Sequence, residues 1–225
     1  AREAGDAPAG PRAGAAIERW LASPRLQAAH ARRAAPIGEA AHIDQALRAC
    51  AGADVVVLAG DACPAPGWLE RLAGCAARDP GIGTATPWCN AGEVAAWPRI
   101  AEVAPLPDAP ARLARACASL AGETANLPAA VSHAVFLRGD ALARAGGLDG
   151  ASFRSWQAAL VDLSLRFAGM GWRNVLCAEA FVARPREGMP ADGDMDALAV
   201  RWPAWHARLA TFLMDDPLHA LRGRL

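Results

Sequence analysis

The residues with the means to do chemistry are concentrated first around Asp61. It stands in the stretch ADVVVLAGDACPAPGW, residues 53–68, where the apolar run Val55, Val56, Val57 and Leu58 stops at Gly60. A β-branched run of this length suits a strand buried on both faces, as in a parallel sheet covered by helices. Pro64, Pro66 and Gly67 then make a turn, and Trp68, Leu69, Leu72 and Cys75 follow at helical spacing until Asp79-Pro80-Gly81 stops them. In open α/β sheets ligands sit outside the carboxyl ends of strands, so Asp61 occupies the place of a functional carboxylate. The alternative is a carboxylate that only caps the turn.

Other groupings carry less. Asp192, Asp194 and Asp196 have the opening spacing of a calcium loop, but Ala197 replaces the required glycine and Pro203 stands where the bidentate glutamate belongs, so a solvated loop is expected. Gly81 and Gly83 lack a third glycine and precede a strand, which excludes a dinucleotide fingerprint. Ser132 and His133 have no nearby acid, so a hydrolase triad is not written here, and His133 reads as a residue packed in the core or lining a pocket. Trp156 and Trp172 could stack on a ligand or simply belong to the core. The six cysteines never approach CxxC spacing, which argues against a zinc site or a thioredoxin-like motif and for reduced thiols in a cytosolic protein.

The elements that must position these residues alternate between helix and strand. Helices are expected over 12–23, 38–52, 68–78, 109–121, 140–145, 156–168 and 202–214, and strands over 26–30, 55–58, 82–87, 132–138 and 174–183. Residues 88–127 are proline-rich and irregular, an excursion from the alternating order. With 225 residues the chain can bury a core as one domain. Its 23 basic and 23 acidic residues balance, so no global field favours nucleic acid or an anionic membrane. No apolar run is long enough to span a bilayer. Every basic residue is Arg, Tyr is absent and Ala is abundant, a composition expected of a GC-rich bacterial genome. The opening AREAGDAPAG has no initiator Met and no signal peptide, as expected of a piece of something longer.

Several ordered phrases resemble one family. GADVVVLAGDACPAPGWLERLAGCAARDPGIGTATPWCNAG is similar to the central segment of family 2 nucleotide-sugar glycosyltransferases, with its Asn-Ser-Asp-Thr type strand end, Pro-Gly-Trp-Leu helix and Gly-Thr-Val-Thr-Pro strand. LPAAVSHAVFLRGDALARAGGLDGASF resembles the acceptor-side strand and turn of that family, and WQAALVDLSLRFAGMGWRNVLCAEAFVARP its catalytic helix and Gly-Trp-Arg-Asn-Val exit. The tail WPAWHARLATFLMDDPLHALRGRL is also similar to family members. The likeness covers residues 36–225.

That resemblance implies a Rossmann-like A-type glycosyltransferase sandwich, an α/β fold with a mostly parallel sheet flanked by helices. Residues 1–90 would form the nucleotide-sugar-binding half, 91–131 the excursion, and 132–225 the acceptor and catalytic half with a C-terminal helix. It implies an inverting transfer of a sugar from a nucleotide-sugar donor to a glycan or lipid-linked acceptor, within a longer polysaccharide-assembly protein. Asp61 matches the carboxylate that holds a divalent metal, Mn or Mg, and Asp162 the last acid of the motif that supplies the general base. Asp6 and Asp44 correspond to positions that contact the nucleoside, although either could be a plain exposed acid. The departures are as informative. The acids expected before Asp162 have become Gln157, Ala158, Ala159, Leu160 and Val161, and Arg184 stands where many relatives place a metal-binding His. An Arg cannot ligate a cation but can itself neutralise a diphosphate. A non-catalytic domain that keeps the fold and binds a partner or glycan is the competing expectation.

Overall fold

The computed structural model describes residues 37–225 together with Arg19 and Ala35. Asp6, the strand expected over 26–30 and, Arg19 apart, the helix expected over 12–23 lie outside the described residues. The elements in chain order are α1 (Glu39–Ala49), β1 (Val55–Leu58), β2 (Cys63–Pro64), α2 (Trp68–Ala77), β3 (Ile82–Trp88), a 3-10 turn (Glu93–Ala95), α3 (Pro110–Ala118), β4 (Thr124–Asn126), β5 (Ala134–Leu137), α4 (Gly139–Ala145), α5 (Trp156–Gly169), β6 (Arg173–Ala183), α6 (Asp194–Arg201), α7 (Trp205–Asp215) and α8 (His219–Arg222).

The strands form one sheet in the order β1-β5-β3-β6-β2, with β4 also paired to β6. β5 is antiparallel to both β1 and β3, whereas β3 and β6 are parallel, so β1, β3 and β6 share a direction and β5 runs against them. β2 and β4 are antiparallel to β6. The sheet is therefore mixed, which corrects the expectation of a mostly parallel one. An apolar run such as AVFL in β5 reports burial on both faces and is silent about strand direction. In the described residues β1 is an edge strand, and its valines are only half-buried.

Alternation along each strand sorts the side chains into layers. On one face Val55 and Val57 of β1 and Val135 and Leu137 of β5 pack against Ala159, Leu160 and Leu163 of α5. On the other, Val56, Phe136, Ala85 and Val175 meet Leu72 and Cys75 of α2. A third cluster joins Leu176 and Phe181 of β6 to Leu113 and Cys117 of α3 and to Trp88 and Val94. Each fully buried Leu or Phe in these layers contributes about 1.5–3 kcal/mol.

One expectation about the last third of the chain is corrected. The acidic stretch read as a solvated loop starts α6, and Asp194 is 3 % exposed. Its carboxylate accepts from Arg154 N at 3.0 Å and from Ser155 N at 2.8 Å, and also from Ser155 Oγ. The acid thus anchors the start of α5, where Ser155 is the N-cap. At the other end of the chain, Arg222 is 5 % exposed and donates from Nε to the Ala96 carbonyl at 2.9 Å, with its guanidinium over the Trp88 ring.

Candidate functional site

β1 and β6 end at the same edge of the sheet, and a short pairing welds their exits together. Cys63 and Pro64 pair with Ala183 and Val182, which folds the Gly60-Asp61 turn back beside the residue that leaves β6. That residue is Arg184. Its Nε lies 2.8 Å from Asp61 Oδ1, and Arg186 Nε lies 3.3 Å from Asp61 Oδ2. The Arg184 side chain is only 9 % exposed, against 21 % for Asp61 and 57 % for Arg186. Asn90 fixes the Arg184 backbone as a strand partner would: its Oδ1 accepts from Arg184 N and its Nδ2 donates to the Arg184 carbonyl, both at 2.8 Å. Among the described residues the guanidinium is held through Nε, and neither Nη has a hydrogen-bond partner. Gly188 leaves room beside them, because a Cβ there would lie 2.8 Å from Ser132 Oγ and 3.2 Å from Arg184 Nη1. Ser132 Oγ is buried and has no hydrogen-bond partner among the described residues.

The surroundings of Asp61 do not fit a divalent cation. Its two oxygens face guanidinium groups, which bring the positive charge an ion would bring and offer it no lone pair. Among the described residues no group of three or more His, Cys, Asp and Glu side chains could complete a coordination shell. His133 does not help. Its ring is fully buried, Nε2 meets the Pro87 carbonyl at 3.1 Å, and burial together with the nearby Arg184 charge lowers its pKa to about 3, so it stays neutral and packed.

The other residues singled out from sequence sit elsewhere. Asp162 is 0 % exposed, and both its oxygens are taken: Oδ2 accepts from Arg166 Nε at 2.9 Å, and Oδ1 from Trp202 Nε1 at 2.9 Å and Arg201 Nη1 at 3.2 Å. It clamps α5 to α6 and to the Ala145 and Gly147 carbonyls that Arg166 also reaches. Asp44 accepts from Leu148 N at 2.8 Å and Arg48 Nε at 2.7 Å. It lines a small cavity with Gly52 and Ala53, which precede β1, at the opposite end of that strand from Asp61.

The structure adds a carboxylate that the sequence did not single out. Glu93 follows Asn90 by three residues and takes a left-handed backbone, φ 50°. Its Oε1 accepts from Gln157 Nε2 at 2.5 Å, on the first turn of α5. Burial pushes its pKa up to about 7, with Glu187 adding to the rise and Gln157 and Arg184 opposing it. The one available signal was that α5 begins with Gln157 where acids were expected, which asks for a carboxylate from another element.

No protein-family profile matches the chain, and no curated protein matches it. Among solved structures it is similar to GalNAc-T7, crystallised with UDP, GalNAc and Mn2+, at 13 % identity and a TM-score of 0.64. The match covers 89 % of this chain and 41 % of that one, so the chain spans less than half the length of its neighbour. The likeness shows the fold, that of the A-type glycosyltransferases.

Proposed function

We propose that this chain is a glycosyltransferase domain that binds a nucleotide-sugar donor at the carboxyl ends of β1 and β6 and transfers the sugar, with inversion, to a glycan or lipid-linked acceptor. The observation that carries the reading is the pairing of the buried Arg184 with the half-buried Asp61 at the carboxyl ends of β1 and β6 in an A-type fold. Departure of a nucleoside diphosphate develops negative charge on its phosphates, and a fork of guanidinium donors already fixed in place meets that charge without reorganising. Arg184 and Arg186 take this role in our reading, in place of the Mn or Mg expected at Asp61. Asp61 orients Arg184, while Asp162 serves as a structural clamp. Residues up to about 90 form the donor half and those from 132 the acceptor half. Asp6 supplies a nucleoside contact in this reading, whereas Asp44, paired with Leu148 and Arg48 at the opposite end of β1, does not.

No helix of the described residues is long and apolar enough to cross a membrane. We place the domain within a longer bacterial polysaccharide-assembly protein acting in the cytosol. The second reading, a domain that binds a glycan or partner without turnover, is favoured by the locked Asp162 and by the loss of the acids before it. Calorimetric titration with UDP, GDP and dTDP sugars, in manganese and in EDTA, tests the first reading. Donor binding that persists in EDTA is the expected result. Binding that appears only with manganese refutes the arginine assignment, and the absence of binding to every donor refutes the function.

A further inference from the structure

The proposed transfer needs a group to take the proton from the acceptor hydroxyl, and the helix expected to supply it presents none. Ala159 and Leu160 of α5 are packed in the core, and Asp162 is surrounded by donors. Another carboxyl, Glu93, lies on the loop that leaves β3, at the same end of the sheet as the exit of β6. We propose that Glu93 is the general base of the reaction, held by Gln157 and tied through the Asn90 loop to the Asp61–Arg184 pair. This inference rests on the transferase reading above.

Three observations converge on it. The first is placement: Asn90 hydrogen-bonds both backbone groups of Arg184, so Glu93, three residues on, is tied to the site by the same loop. From the opposite side Gln157 reaches Glu93, and the adjacent Trp156 donates from its indole to the Ser132 carbonyl at 3.0 Å. The second is accessibility, since Glu93 is half-buried and open enough to meet a hydroxyl, unlike Asp162. The third is the incomplete pairing of its holder. Gln157 Oε1 is buried without a hydrogen-bond partner among the described residues, while its Nε2 donates to Glu93. A left-handed φ at a non-glycine residue costs energy and persists where the surrounding structure imposes it.

The chemistry closes. The acceptor oxygen attacks the anomeric carbon, its proton passes to the Glu93 carboxylate, and the bond from that carbon to the diphosphate oxygen breaks. The electron pair leaves with the nucleoside diphosphate, whose charge Arg184 and Arg186 meet. A base is most effective with a pKa near the working pH, and a value of about 7 meets that condition. The charged groups that set it are Glu187, which raises it, and Arg184, which lowers it.

The test combines calorimetry with UDP, GDP and dTDP sugars and release of nucleoside diphosphate from the donor that binds, with water or an oligosaccharide as acceptor. Glu93→Gln is expected to bind donor as the wild type does and to release diphosphate slower by on the order of 100-fold or more. Wild-type turnover should rise as pH passes through neutrality, and the variant should lose that rise. Comparable turnover in Glu93→Gln, a flat wild-type profile, or a wild type that binds donor and turns over none of it overturns Glu93 as the base. Absence of donor binding in the wild type overturns the transferase reading itself, a failure seen in the calorimeter before any rate is measured. Should Glu93→Gln fail to fold, Glu93→Asp keeps the charge but withdraws it by one methylene. That variant should lose turnover with donor affinity intact, and unchanged turnover counts against the proposal.

Discussion

Arg184 Nε and Asp61 Oδ1 lie 2.8 Å apart where β1 and β6 leave the sheet, so a buried guanidinium is paired with a carboxylate at the carboxyl ends of both strands. The pair makes Asp61 part of the scaffold as well as of the site. Asp61→Ala leaves the Arg184 charge buried without its partner, a change of about 2–3 kcal/mol once the partial exposure of Asp61 is allowed for. For a chain of this size that is a fall in Tm of roughly 4–12 °C. Thermal melts read it, and an unchanged Tm would mean that the pair does not form in solution.

Arg184→His tests the exchange of a metal for a guanidinium. Hydrogen bonds to charged groups contribute about 1.5–3 kcal/mol, so donor affinity in EDTA should fall by roughly 10- to 150-fold. The new imidazole beside Asp61 would give a cation two protein ligands, and manganese should restore part of the loss. Calorimetry in both conditions decides; equal affinity for wild type and variant in EDTA removes Arg184 from the donor site.

Asp162 should behave as a clamp. Asp162→Ala removes the carboxylate partner of Arg166 and one of the two carboxylates that Arg201 pairs with, and leaves the Trp202 indole unpaired. Because both arginines reach solvent, the cost should lie near the lower end of the usual range, about 3 kcal/mol. The corresponding fall in Tm is roughly 6–12 °C. Donor affinity of the folded fraction should not change, and a rate loss at full stability would return Asp162 to the reaction.

Asp194→Ala removes the acceptor of three donors at the start of α5 and should destabilise by about 3 kcal/mol, while calcium leaves the wild-type Tm unmoved. A Tm that climbs with calcium would restore the reading of this stretch as an ion site.

Glu93 makes a pH-dependent contribution to stability whose sign follows from its raised pKa. The folded state holds the proton up to about pH 7, whereas the unfolded chain releases it near the model-peptide value of 4.5. The contribution is therefore complete below about 4.5 and is lost as pH rises through about 7. Relative to Glu93→Gln, the wild type should lose on the order of 1 kcal/mol, or ~2–4 °C in Tm, between mildly acid and mildly alkaline solution. Parallel melting curves at all pH values would show that the carboxyl is not held neutral.

What the sequence disclosed and what it hid have separate causes. Strong periodicity located the helices and the longer strands of residues 38–183, because burial on one or both faces leaves a repeat in the chain, whereas the short β2 and β4 and the 3-10 turn at Glu93 left none. Strand direction was hidden, since the apolar runs of β1 and β5 look alike whichever way they point. Asp61 was visible because a carboxylate that ends an apolar run has few structural reasons to be there. The environment of Asp162 was invisible: two of its three partners, Arg201 and Trp202, come from α6 and its exit, some forty residues later in a stretch without clear periodicity. Glu93 lay in the proline-rich excursion, where no repeat marks which side chains face inward, and only the missing acids of α5 hinted at it.

The bond from Arg222 to the Ala96 carbonyl gives the far end of the chain a share in the site. Ala96 is three residues beyond Glu93, and the same arginine lies over Trp88, the last residue of β3. The loop that carries Glu93 is thus suspended between two fixed points, the end of β3 and α8. Its shape depends on a side chain 126 positions away in the chain, so a substitution that loosens α8 also loosens this loop.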